Sequence, residues 1–285
     1  MTNMNLNSKQ MLGAGAALAV LLFVIYRMVL GLNYVSTDDA FIEGRIHVIA
    51  PKIPGTVKDV KVEDNQNVKE GDLLVDIDPV DFELKVSEAR ASLDMRAATL
   101  EQAERDKVRA ENLFKDGVLP KDKYENILTA YDLSKAQTES AEAQLKIAQR
   151  NLEYTKISSP ANGRVTKKSV EVGNQVLPGQ SLMAVVSSDM WVVANYKETQ
   201  LKDVRPGQEV KIRVDTYPGK VFEGHVDSIQ RGTGAKFSLF PPENAAGNFV
   251  KVVQRIPVKI VFDNQPADKY DLSIGMSVVP EIKVR

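Results

Sequence analysis

Two glycine- and valine-rich stretches of this chain are copies of one another, and a long helical pattern separates them. Gly55 falls on Gly163, Val57 on Val165, Val62 on Val170, Val68 on Val176, Gly71 on Gly179 and Leu74 on Leu182, each pair 108 positions apart (163 − 55 = 108). Pro51 is set against Pro160 at the head of each copy. Short valine-rich runs broken by Gly, Asn and Pro are strand-and-turn sequence. Half a small sheet of this kind cannot close a core alone, so the two copies must fold together. The stretch between them, Asp78 to Tyr154, is then obliged to leave that core and return to it.

That stretch reads as two antiparallel helices. Phe82, Val86, Ala89, Leu93, Arg96, Leu100, Ala103, Lys107 and Ala110 recur in steps of four and three, as do Tyr124, Ile127, Tyr131, Ser134, Thr138, Ala141, Leu145, Ala148 and Leu152. Sustained heptad spacing is a coiled-coil seam, which Arg96 and Lys107 are expected to weaken. Glu, Lys, Arg and Gln on the outer faces are the solvated surface of a protruding rod. Asp78 and Pro79 suit an N-cap and a first helical residue, Gly117 a C-cap and Pro120 the start of the return helix. At ~1.5 Å per residue each arm reaches roughly 50 Å from its base, a projection that suits bridging a gap rather than compact catalysis. Val118 and Leu119 stand at the tip, either covered by a partner or packed on each other and on Phe114 to close the turn.

The first ten residues are polar, and Met11 to Leu32 is apolar apart from Arg27. Such a run can cross a hydrocarbon core of ~30 Å as a helix. No small-residue cleavage site follows it, so an uncleaved anchor is favoured over a secretory signal. Asp38 and Asp39 are neighbours on extended chain and point to opposite faces, which suits a turn or cap better than acid/base work. Asp76, Asp78 and Asp81 lack the glycine and distal glutamate of a calcium loop.

The formal charge of −1 argues against nucleic acid as a partner. With no cysteine, disulfides and thiol chemistry are excluded. The two histidines, His47 and His225, sit in strand-like runs. No phosphate loop, metal cluster or nucleophile constellation is present, and no enzymatic activity is expected. Beyond Ser187, strands are expected over Met190 to Tyr196, Glu209 to Val214, Val221 to Ile229, Lys251 to Phe262 and Ser277 to Val284, spaced as in a small barrel or sandwich, with Trp191 in its core. Between them Gly232 to Phe249 is a loop, read either as a contact surface or as self-packed. Its candidate contact residues are Phe237, Ser238, Leu239, Phe240, Pro241, Pro242 and Asn244.

The interrupted repeat resembles the split biotinyl/lipoyl domain of EmrA-type membrane fusion proteins, the HlyD family of periplasmic adaptor subunits. Thr37-Asp38-Asp39-Ala40-Phe41-Ile42 is similar to the signature that follows the anchor in that family, and WVVANYKETQL and VKVVQRIPVKI resemble its barrel segments. Together the matches run from about Val35 to Val284. The resemblance implies a mainly β fold with a long helical hairpin: 1–10 cytoplasmic, 11–32 transmembrane, 33–47 and 188–285 barrel, 48–78 and 157–187 lipoyl-like, 79–156 hairpin. It implies a single-pass protein of the inner membrane of a Gram-negative bacterium, with the bulk of the chain in the periplasm. The partners it implies are an inner-membrane transporter of the major facilitator type, a TolC-like outer-membrane channel, the lipid bilayer and further copies of the chain in a ring.

Adaptors that dock on such a channel carry Arg, then Leu four residues on, then Ser seven beyond. Here Arg109 and Leu113 keep that spacing, but Pro120 stands at the serine position. The candidate docking tip is therefore Arg109, Leu113, Gly117, Val118, Leu119 and Pro120. No cofactor is expected, because the turn that carries the modified lysine in true carrier domains is replaced by the hairpin, with neither Asp-Lys-Ala nor Met-Lys-Met at the junction. That also disfavours a biotin or lipoyl carrier subunit. An adaptor of type I protein secretion, which has longer helices, and a structural envelope spacer are the other readings.

Overall fold

The structure, a computed structural model, describes residues 33–237, 252–264 and 270–284. The chain divides into two units, Ile46–Val186 and the combination of Met1–Arg45 with Ser187–Arg285. The anchor expected over Met11 to Leu32 lies outside the described residues, and among the described residues no helix is long and apolar enough to cross a membrane. The strands are β1 (Tyr34–Ser36), β2 (Ala40–Ile49), β3 (Gly55–Val60), β4 (Asn67–Val68), β5 (Leu73–Ile77), β6 (Lys156–Ser158) and β7 (Gly163–Thr166). They continue with β8 (Gln175–Val176), β9 (Met183–Lys197), β10 (Glu209–Val214), β11 (Val221–Ile229), β12 (Arg255–Phe262) and β13 (Val278–Lys283). Two helices, α1 (Val80–Lys115) and α2 (Lys121–Glu153), separate β5 from β6.

In the unit Ile46–Val186 the two sequence copies close one core. Val57, Val62, Val68, Leu74 and Ile77 of the first are buried with Val165, Val170, Val176, Leu182 and Val185 of the second, each 108 positions on. The backbone bonds between the copies are exchanged in the same way. Gly71 N–H donates to Ser159 O at 2.9 Å while Gly179 N–H donates to Pro51 O at 3.0 Å. Asn65 N–H donates to Val165 O at 3.0 Å while Gly173 N–H donates to Val57 O at 2.8 Å. Adding the offset to the donor of one bond and subtracting it from the acceptor yields the other (71 + 108 = 179 and 159 − 108 = 51), so the module has an internal two-fold. Pro51 is thereby the counterpart of Ser159, one place before the proline that the sequence set against it. The turns also correspond: Asn65 and Gly173 occupy the left-handed region at φ 65° and 86°, where Asn and Gly are the residues tolerated.

The hairpin keeps its expected seam. Every heptad residue named above is buried or half-buried, with Ala110, Thr138 and Ala141 the most enclosed. The two cations in the seam do not loosen it as expected. Lys107 Nζ lies 4.0 Å from the centroid of the Tyr131 ring on the facing helix, a cation–π contact. Arg96 Nη1 donates to Gln137 Oε1 at 3.1 Å, and Thr138 Oγ1 reaches Arg96 O at 3.2 Å. The long side chains thus pair across the seam. At the start of α1 the cap is displaced by one residue. Pro79 holds the cap position, and Asp78 Oδ1 accepts the Val80 N–H at 3.2 Å.

In the other unit the strands run in the order β1-β13-β10-β11-β12-β9, with β2 on β9. Strict alternation on β10, β11 and the second half of β9 sends Val210, Ile212, Phe222, Val226, Val192, Ala194 and Tyr196 inward. Trp191, expected in this core, faces outward instead, because it lies between the inward Met190 and Val192. The Thr37-Asp38-Asp39 motif pins the entry to β2. Thr37 Oγ1 donates to Asn195 O at 3.0 Å, Asn195 Nδ2 donates to Asp39 Oδ1 at 3.1 Å, and Arg255 lies 2.9 Å from Asp39.

Two outcomes follow for stability. A Cβ on Gly163 would come within 2.2 Å of Val186 O, whereas on Gly55 it would meet only the Ile77 Cγ2 methyl at 2.5 Å. Backbone cannot yield as a side chain can, so Gly163→Ala should cost more than Gly55→Ala, by about 1–3 kcal/mol, read as the difference in melting midpoint. Burial pushes the Tyr196 phenol, whose Oη donates to Pro280 O at 3.1 Å, well above its ordinary value. The folded state then keeps this proton while the unfolded chain releases it near pH 10, so stability should fall as pH rises above ~10. Tyr196→Phe should flatten that alkaline slope in melts taken between about pH 9 and pH 11.

Candidate functional site

The far end of the hairpin is closed by a backbone motif and an aromatic stack. Asp116 ends α1, and Gly117 follows in the left-handed region at φ 71°. Gly117 N–H donates to Phe114 O at 3.1 Å and Val118 N–H donates to Leu113 O at 2.9 Å, the paired bonds of a Schellman cap. Leu119 N–H also reaches Leu113 O, at 3.2 Å, and Pro120 O then accepts the N–H groups of Lys123 and Tyr124, both at 3.1 Å. Pro120 is extended, with ψ 146°, and immediately precedes α2.

Phe114 takes part in closing the hairpin through a ring contact not named from the sequence. Its ring stacks on Tyr124 across the hairpin, with centroids 4.7 Å apart and planes 5° from parallel. Phe114 lies four residues beyond Ala110 and Tyr124 opens the second heptad series, so the pair is the last rung of the seam. Continuing the four-three steps past Ala110 would have found it. With the turn closed by other groups, Val118 is left 70% exposed and Leu113 39% exposed.

Three ion pairs near the tip run along their own helices. Arg109 lies 3.6 Å from Asp106, Lys115 lies 2.9 Å from Glu111 and Lys121 lies 3.4 Å from Glu125. The hydrogen bond from Lys115 holds the Glu111 carboxyl below its usual range and raises the lysine in return. The structure thus brings Leu113, Gly117, Val118, Leu119 and Pro120 together at one end, with Arg109 one helical turn before Leu113. What the end presents is the exposed Val118 among charged side chains, several of them paired.

Of the second candidate group, Phe237 ends a short 3-10 turn, Gly234–Phe237. Ser238, Leu239, Phe240, Pro241, Pro242 and Asn244 lie outside the described residues. Among the described residues no group of three or more His, Asp or Glu is placed to hold a metal ion.

Two family models match this arrangement of units. Residues 45–188 match the RND MFP barrel-sandwich hybrid domain and residues 189–282 the AAEA-like beta-barrel domain. The chain belongs to the membrane fusion protein family. Within it, the chain is 32% identical to the colistin resistance protein EmrA of Acinetobacter baumannii, over 100% of this chain and 98% of that one. It is 35% identical to the fatty acid resistance protein FarA of Neisseria gonorrhoeae, over 86% and 75%, and 32% identical to the multidrug export protein EmrA of Escherichia coli, over 93% and 79%. Among solved structures, a MacA–MexA chimera containing the Pseudomonas aeruginosa MexA α-hairpin domain is similar at TM-score 0.60 and 27% identity, over 89% of this chain and 79% of that one.

The tip geometry sets one expectation. A side chain at Gly117 meets no atom within 4 Å, yet the backbone there sits at φ 71°. Gly117→Ala should therefore cost about 1 kcal/mol through backbone strain alone, seen as a lower helix melting midpoint without loss of folded helix at low temperature.

Proposed function

We propose that this protein is the periplasmic adaptor of a tripartite efflux system, joining an inner-membrane transporter to an outer-membrane channel for the export of drugs or small organic compounds. Membership of the family and the export and resistance names of its relatives support this reading. The observation that carries it is the hairpin. A continuous seam holds two helices of 36 and 33 residues together and ends at a turn from which Val118 stands 70% exposed.

In this reading residues 11–32 tether the chain as a single pass in the inner membrane of a Gram-negative bacterium, and the rest stands in the periplasm. Residues 48–78 with 157–187 form the lipoyl-like base, 79–156 the hairpin, and 33–47 with 188–285 the barrel near the transporter. The transporter is of the major facilitator type, which supplies the transport energy. Several protomers form a ring, with Phe237 and the segment 238–244 at a transporter or protomer contact. Arg109, Leu113 and Val118 meet a TolC-like channel. Pro120, in place of the serine, has no hydroxyl and no N–H to offer, so docking relies on the apolar contact.

Leu113→Asp tests the docking role. The Leu113 carbonyl that receives the two tip N–H groups is backbone and survives the change. Export-dependent resistance should be lost while the amount of protein in the membrane fraction and the melting midpoint stay as in the parent. Full resistance in that variant would refute docking through the tip.

A further inference from the structure

One end of the barrel unit gathers the start of β1 with the limits of four other strands. Tyr34 is the Cα partner of Lys283, and Lys283 reaches Glu209 at the head of β10 at 3.0 Å. The end of β9 and the start of β12 meet there too, since Lys197 and Arg255 are Cα partners. The 3-10 turn Glu198–Asp203 that follows β9 is tied to β1 by Gln200 Nε2, which donates to Ser36 O at 3.1 Å. Asn33, whose carbonyl accepts the Val284 N–H at 2.9 Å, comes directly after the apolar run that finishes at Leu32.

Charge is unevenly divided between this end and the other. Here Lys283 is held by Glu209 and Arg255 by Asp39 at 2.9 Å. Lys197, Lys202, Arg205 and Arg231 are exposed and form no ion pair among the described residues, with Glu198 and Asp203 as the carboxylates beside them. Arg205 Nη1 donates to the carbonyls of Lys202 and Val204 at 2.9 and 2.7 Å, bonds that steady the guanidinium without neutralising it. Val252 and Val253, just before β12, stand 62% and 58% exposed. At the opposite end the balance is reversed, where Asp215, Asp263 and Asp271 outnumber Lys220.

We propose that the end bearing β1 docks on the anionic phospholipid headgroups of the bilayer. The inference rests on the reading of residues 11–32 as a membrane anchor. An anchor that finishes at Leu32 brings Asn33, ~3.8 Å further along the chain, to within a Debye length of the headgroups, ~8 Å at physiological salt. At that range each Lys or Arg favours the docked state by about fivefold. Cations set among exposed apolar side chains are the composition of a surface that lies in the headgroup region. A free phosphate would use the cations and leave both valines in water. The acidic end is repelled by the same field.

The chain has no cysteine, so one placed at the exposed Thr199 can be labelled alone. The full chain is reconstituted in vesicles of phosphatidylcholine, with or without phosphatidylglycerol, and energy transfer from the label to a headgroup acceptor is measured. Transfer from Thr199→Cys should rise with phosphatidylglycerol and fall back at ~1 M salt, where the Debye length is ~3 Å. A label at Thr216→Cys, on the acidic end, should show no rise. Lys202→Gln should lower the docked population about fivefold, and adding Lys197→Gln and Arg231→Gln should abolish the rise. These three side chains are exposed, so an unchanged melting midpoint is expected and confirms that the variant is folded. Equal transfer in the two lipids, a rise that persists at ~1 M salt, or a full rise in the triple variant each overturns the proposal. Flotation with the vesicles after a carbonate wash reads the anchor by itself. A chain that does not float refutes anchor and docking together, whereas one that floats without a lipid-dependent rise refutes docking alone.

Discussion

Neither copy of the barrel-sandwich repeat satisfies its own backbone. Gly71 needs the carbonyl of Ser159, and Gly179 needs that of Pro51. The apolar core is shared in the same way, so either copy alone leaves its half, Leu74 and Ile77 or Leu182 and Val185, open to water, and neither half is stable until the chain has travelled through α1 and α2 and come back. The inserted segment must begin and end at neighbouring points. Asp76 on β5 and Lys156 on β6 are Cα partners, which places exit and re-entry side by side. An antiparallel pair of helices meets that condition with one turn.

The hairpin that results is held by modest forces. Its seam mixes large apolar residues with alanines, hydroxyls and two cations, and the cations are accommodated by pairing across it: Lys107 on Tyr131, Arg96 on Gln137. Small residues let the helices approach closely, while the cross-seam contacts fix the register. The Phe114–Tyr124 stack and the Schellman cap finish the structure at the end furthest from its base. With the turn closed by these groups, Val118 stands largely exposed.

Much of this was legible in the sequence because it rests on periodicity. The offset between the copies foretold the shared core from Val57 with Val165 to Leu74 with Leu182, and the four-three steps foretold the seam residue by residue. The strands Glu209–Val214 and Val221–Ile229 fall on their expected limits. What the sequence hid depends on partners distant along the chain. A lone tryptophan suggests a core residue, yet alternation along β9 turns Trp191 outward. Lys107 was read as a weak point because Tyr131 could not be known to face it. The role of Thr37 and Asp39 depends on Asn195 and Arg255, more than 150 positions away (195 − 39 = 156). At the tip, Arg109 and Leu113 are visible as a spacing, whereas the exposure of Val118 depends on how the turn folds.

The adjacency of Asp76 and Lys156 also makes the hairpin interchangeable. Because both arms leave one spot and are joined by a seam that repeats every seven residues, a heptad added to each arm lengthens the rod by ~10 Å and disturbs nothing beneath it. The solved chimera bearing a hairpin domain from a second protein illustrates the same independence. Arm length is therefore an adjustable ruler that selection can retune to the width of the gap being spanned, leaving the foundation that supports it untouched.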